Sequence, residues 1–247
     1  MINTLIFGGT TEGRQAVLDE PDAVVCVTTA YAGSLLPPGT DCRIGRLDLD
    51  GMRALMTELR PRRVLDATHP FALQVHDNIA ACCSELGIPL VRIERPEDRE
   101  AAWRKHVLTV RDAKEAASLL SHMEGPVFLT TGSHTLSVYT ETVSPDRLYV
   151  RVLPTAQSLT LCEQAGIHPS HIIAMQGPFS AELNAALYDD LHIQTLVTKD
   201  SGAAGGITEK VLPALARNMD VILIERPQAA AADGNNLNPE TGGQHAR

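Results

Sequence analysis

Five segments of the chain place hydroxyl, amide, imidazole or ammonium groups, in four of them beside glycine, directly after an apolar run. They are GGTTEG (residues 8–13), DATHPFA (66–72), TTGSH (130–134), QGPFS (176–180) and TKDSGAAGG (198–206). The first follows a short β-branched run and precedes a helical pattern, the context in which backbone amides at a helix N-terminus hold a phosphate. Its candidate contacts are Gly8, Gly9, Thr10, Thr11, Glu12 and Gly13. Read as half a P-loop, it has Arg14 and Gln15 in place of the lysine and the hydroxyl, so nucleotide hydrolysis is not supported. Read as a dinucleotide fingerprint, it has Thr10 where the middle glycine belongs. A tight turn with no ligand is the alternative to a phosphate site.

The other segments extend the same logic. The second apolar run ends at Val27-Thr28-Thr29, with no acid for ribose hydroxyls. Neutral Thr28 and Thr29 would admit a 2′-phosphate, so both NADPH and NADH remain open as cofactor. In DATHPFA, His69 precedes Pro70 and is pushed out of helical geometry. Thr68, His69, Pro70 and Phe71 thus leave one strand together at the edge where open α/β sheets bind ligands. In the second half Ser133, Gln176, Gly177, Pro178 and Phe179, then Lys199, Asp200, Ser201 and Gly202, form a donor-rich wall if their strands share an edge. Lys199, Arg151 and Lys210 bring positive charge suited to carboxylates. The alternative for Lys199 is an ordinary surface charge. No Ser/His/Asp order, G-x-S-x-G or HExxH is present, and the adjacent Cys82-Cys83 do not make a metal site, so no protein-bound metal is expected.

The elements that must position these groups alternate. Strands are predicted over residues 4–7, 23–28, 42–44, 63–66 and 89–93, with helices over 12–18, 49–60 and 73–86, the last ended by Gly87. A polar stretch, ERPEDREAAWRK (94–105), reads as a boundary. Beyond it strands are predicted at 127–131, 148–153, 171–175, 195–198 and 221–224, and helices at 156–165, 180–191 and 208–218. The pattern is α/β, with two Rossmann-like lobes of parallel sheet flanked by helices and a cleft between them. The lobes are residues 1–100, binding the nicotinamide, and 101–227, facing the substrate. Residues 228–247 are polar and Gly/Asn-rich and are expected to be disordered.

Composition narrows the function classes. The chain has 247 residues, 21 Lys+Arg against 30 Asp+Glu, and a formal charge of −9, which argues against a nucleic-acid binder. No apolar run approaches the roughly 18 residues of a membrane span. The N-terminus lacks the basic region of a signal peptide. Five cysteines without CxxC fit reduced thiols, so a cytoplasmic location is expected.

Taken in order, GGTTEGR, TAYAG (29–33), GRLD (45–48), DATHPFA, RIERP (92–96), TTGSH, QGPFS and TKDSG resemble the precorrin-6A reductases of corrin-ring biosynthesis, cobalt-precorrin-6A reductases included. The resemblance runs from residue 5 to about residue 227. It implies an oxidoreductase that moves a hydride from NADPH or NADH to one double bond of a tetrapyrrole macrocycle, with or without cobalt, giving the 6B-level product. It implies no flavin. Residues 8–13, Thr28 and Thr29 would contact the cofactor, Thr68 to Phe71 would border the nicotinamide, and Ser133, 176–179 and 199–202 would face the substrate. His69 and Lys199 are the candidate catalytic groups. GRLD is closer to the cobalt-dependent, anaerobic branch, whereas many relatives carry an arginine where this chain has Ser34-Leu35. A non-catalytic nucleotide-sensing domain is the competing reading. A sugar-nucleotide epimerase is disfavoured because none of the four tyrosines starts a Tyr-x-x-x-Lys pair.

Overall fold

The computed structural model describes residues 1–93, 101–202 and 205–227. The predicted boundary thus falls partly, and the predicted tail wholly, outside the described residues.

The first sheet contains β1 (Thr4–Phe7), β2 (Val24–Val27), β3 (Asp41–Ile44), β4 (Arg63–Asp66) and β5 (Leu90–Arg92). All pairings are parallel and the order is β3-β2-β1-β4-β5. Helices α1 (Thr11–Asp19), α2 (Ala30–Ser34), α3 (Leu49–Leu59) and α4 (Leu73–Leu86) make the connections. Side chains alternate across a strand, so each central strand feeds two cores. Leu5, Phe7, Val24 and Cys26 pack with Met52, Met56 and Ile79 on one face, while Ile6, Val25, Val27 and Leu65 pack with Ala16 and Val17 on the other. Gly87 ends α4 at φ +65°, a left-handed cap that glycine adopts without strain.

The second sheet contains β6 (Leu108–Val110), β7 (Val127–Leu129), β8 (Leu148–Val152), β9 (Ile172–Ala174), β10 (Thr195–Lys199) and β11 (Asp220–Ile224). It too is all parallel, in the order β6-β11-β10-β7-β8-β9. Its helices are α5 (Ala113–Leu120), α6 (Leu136–Thr140), α7 (Ala156–Gln164), α8 (Ala181–Asp190) and α9 (Ile207–Leu215). Two apolar clusters again cover the two faces, one holding Tyr139 and Cys162, the other Trp103, Tyr188 and Val211.

Each sheet reverses its winding once. In the first, the reversal lies between β1 and β4; in the second, between β7 and β10. Loops diverge at such a switch point and leave a crevice at the carboxyl ends of the strands. The four loops that leave β1, β4, β7 and β10 are GGTTEG, ATHPFA, TTGSH and DSGAAGG, four of the five segments singled out by composition.

Candidate active site

The first crevice is closed by short contacts. Thr10, N-cap of α1, accepts from the Gly13 amide at 3.0 Å and donates from its hydroxyl to the Ala67 carbonyl at 2.8 Å. That single side chain caps the helix and ties the β1 loop to the β4 loop. A Cβ on Gly13 would lie 3.2 Å from Gly8 Cα and 3.4 Å from Ala67 Cβ, so glycine is what lets α1 approach this closely. Gly9 is exposed at φ +115°, and a Cβ there would meet nothing within 4 Å. The open space above Gly9, beside the first-turn amides of α1, fits an approaching diphosphate. Thr11 is exposed and Glu12 half-buried in that same turn. Thr28 and Thr29 are exposed at the end of β2, where Thr29 caps α2 through the Ala32 amide at 3.1 Å.

A buried network holds the β4 loop. Asp66 Oδ2 is 2.6 Å from His76 Nδ1, and Asp66 Oδ1 accepts from both the Thr68 hydroxyl, at 2.7 Å, and the Thr68 amide, at 3.1 Å. Burial alone would raise the Asp66 pKa, but the hydrogen bonds from His76 and Thr68 outweigh it and hold the carboxyl below its ordinary range. The other ring nitrogen of His76 lies 3.0 Å from Arg92 Nη2 and 3.1 Å from the His69 carbonyl. The network positions the exposed His69 ring, which stands 5.8 Å from the Phe71 ring. Sequence reasoning missed His76. Its signal was its place on the buried stripe of α4 with Ile79 and Cys83, where a histidine needs a polar partner.

The second crevice is joined to the first. Phe71, in the loop that follows β4, packs against the apolar cluster of the second sheet. The Lys199 ammonium at the end of β10 lies 5.2 Å from the centre of the Phe71 ring. Lys199 is half-buried and forms no ion pair among the described residues, and burial pushes its pKa down. The structure therefore brings Phe71 together with Lys199 and ties its loop, through Ala67, to the glycine turn.

The remaining candidates frame the crevice. Asp200 is buried and its carboxylate takes Arg104 Nη2 at 2.6 Å and the Gly202 amide at 3.4 Å. That engagement makes Asp200 an anchor of the loop carrying Lys199, and Arg104 a residue the sequence reading did not single out. Ser201 donates to the Gly205 carbonyl, and both Ser201 and Gly202 are buried. Ser133 is buried with its hydroxyl 3.5 Å from Ser158. Gln176 and Pro178 are exposed, Gly177 and Phe179 half-buried, in the turn before α8, and the Phe179 ring stacks on Arg151 at 4.3 Å. Among the described residues no three His, Cys, Asp or Glu side chains group as metal ligands, and no helix is long and apolar enough to cross a membrane.

Two doubly wound parallel sheets whose switch-point loops meet at the Phe71–Lys199 contact define an α/β protein of Rossmann-like architecture. The family model of precorrin-6x reductase CbiJ/CobK matches residues 3–239, and the chain belongs to that family. It is 37% identical over 237 residues to the cobalt-precorrin-6A reductase of Methanothermobacter thermautotrophicus, covering 92% of this chain and 77% of that protein. It is 35% identical over 234 residues to the cobalt-precorrin-6A reductase of Salmonella typhimurium, covering 91% and 88%. A solved structure of CobK precorrin-6A reductase is similar at a TM-score of 0.74 and 26% identity, over 94% of this chain and 91% of that one.

Proposed function

We propose that the protein reduces one double bond of the precorrin-6A macrocycle, in its cobalt-bearing or cobalt-free form, to the 6B-level product in cobalamin biosynthesis. The hydride comes from NADPH or NADH. Family membership supports the reaction class, and the observation that carries the site assignment is the Lys199–Phe71 contact between the two switch points.

The glycine turn and the first-turn amides of α1 hold the diphosphate, with Gly9 leaving room for its approach. Thr28 and Thr29 sit at the neighbouring strand end, where the ribose of a dinucleotide lies in this architecture. Thr68 to Phe71, fixed from behind by Asp66 and His76, form the wall for the nicotinamide, which when bound supplies the hydride. Lys199, Ser133 and the 176–179 turn face the macrocycle, whose acid side chains the ammonium attracts. Hydride delivery rests chiefly on positioning, and the proton for the neighbouring carbon is held by His69 or Lys199, in the loops that leave β4 and β10. Five cysteines free of disulfides fit a reducing, cytoplasmic setting.

The test is anaerobic incubation of the protein with the macrocycle and each reduced nicotinamide, following nicotinamide absorbance. Consumption in step with a change in the macrocycle spectrum supports the reading. Binding without consumption of either nucleotide would move the assignment to a nucleotide sensor.

A further inference from the structure

Arg151 sits one residue from the end of β8 and is 7% exposed. Its guanidinium is 4.3 Å from the Phe179 ring and 5.3 Å from the Phe128 ring, and Nη1 donates to Asn184 Oδ1 at 2.7 Å. Asn184, in α8, is fully buried, and its amide nitrogen donates to the Ser180 carbonyl at 2.9 Å and the Glu209 carbonyl at 3.0 Å. Those two bonds fix which way the amide faces, so Arg151 is held by a rigid acceptor. No carboxylate pairs with Arg151 among the described residues; Glu209 joins the network through its backbone only. A guanidinium taken out of water normally acquires an acid, because an uncompensated buried charge is costly. Burial pushes the Arg151 pKa down to about 10, with Tyr188 opposing the shift only in part.

The place of this cation in the sheet matters as much as its isolation. Register pairs Leu129 with Val150 of β8 and Val197 of β10, so Arg151 lies one residue further along, near the carboxyl edge that Lys199 also reaches, and strand alternation points the two side chains to opposite faces of the sheet. Two strand spacings, about 10 Å, separate the β8 and β10 backbones. The edge therefore carries two cations without acid partners among the described residues, one on each face of the sheet. A ligand with several carboxylates spread around a large rigid frame reaches both only by straddling that edge.

We propose that Arg151 is a specificity residue that receives a carboxylate of the macrocycle's acid side chains beneath Phe179, while Asn184 holds the guanidinium fork in place. The planar fork offers two parallel N–H donors to a carboxylate, a geometry that lysine cannot reproduce. This inference rests on the macrocycle reading above. A cofactor phosphate is the other anion that could compete for the site, and the test separates the two.

The experiment compares wild type, Arg151→Met and Arg151→Lys with the free-acid macrocycle and with its methyl-esterified form, alongside calorimetric cofactor affinity and melting temperature. The expected result is a ten- to hundredfold rise in KM for the free acid in both variants. The ester should show little difference between wild type and variants, and cofactor Kd should be unchanged. A purely structural arginine would instead lower melting temperature and affect free acid and ester by the same factor, which would overturn the proposal. A shift confined to cofactor Kd would overturn it in favour of a phosphate site. Should Arg151→Met fail to fold, Arg151→Lys retains the charge and carries the comparison. Wild-type protein inactive on both macrocycle forms would remove the macrocycle reading and this inference with it, whereas an active wild type with unaltered variants would remove only the role of Arg151.

Discussion

Replacing Lys199 with alanine separates a substrate-binding ammonium from a surface charge. Lys199 stands on the Phe71 ring at 5.2 Å and has no acid partner among the described residues. A cation over an aromatic ring contributes about 0.5–1 kcal/mol, and deleting the ammonium also removes its desolvation cost, so the two changes oppose each other. Net stability should move by less than about 1 kcal/mol, or about 2–4 °C in Tm for a chain of this size. Binding is different. A carboxylate seated on a partly desolvated ammonium is worth about 1.5–3 kcal/mol, a rise in KM of roughly ten- to a hundredfold. Anaerobic steady-state kinetics with varied macrocycle reads that change, and calorimetry should show cofactor affinity unaltered. The pH profile adds an independent check. Burial lowers the Lys199 pKa from 10.5, so kcat/KM should fall as pH rises through a value below that, and the limb should vanish in Lys199→Ala. An unchanged macrocycle KM, with the alkaline limb intact, would refute this role.

Two further outcomes follow from the first sheet. Gly9→Ala adds a methyl group that meets no protein atom but forces a side chain onto φ +115°, so it should cost about 1–3 kcal/mol of stability and weaken cofactor binding; calorimetry and thermal melts check both. Asp66→Asn removes the carboxylate that holds His76 and Thr68 and should cost about 1.5–3 kcal/mol at neutral pH. Because the folded Asp66 pKa lies below its ordinary 3.8, its stabilisation is present above about pH 4 and is lost as pH falls through the folded value. Denaturant melts should therefore show the gap between wild type and Asp66→Asn narrowing in acid.

Much of the placement of the candidate residues at strand ends was legible locally. Glycine turns and a His-Pro step after apolar runs mark strand ends, and parallel order places strand ends on one edge. The edge strand β6 has three residues and no periodicity to read, and it went unseen. Helix α5 had a signal: Asp112 accepts from the Glu115 amide at 2.9 Å, and Glu115 accepts from the Arg111 amide at 2.8 Å, bonds that its D-x-x-E spacing advertises. What local pattern cannot carry is the meeting of Phe71 with Lys199, 128 positions apart in the numbering, or the pairing of Asp200 with Arg104. Those contacts depend on strand order and on how the sheet edges approach, and both are long-range packing outcomes.

The central claim is transfer of a hydride from a nicotinamide to the macrocycle, and isotope labelling tests it most directly. The protein is incubated anaerobically with the macrocycle and NADPH, or NADH, deuterated at each face of nicotinamide C4 in turn, and the product is analysed by mass spectrometry. The account expects one deuterium in the reduced macrocycle from one of the two faces and none from the other. Reduced product without label from either face, or oxidised nicotinamide without reduced macrocycle, would contradict it.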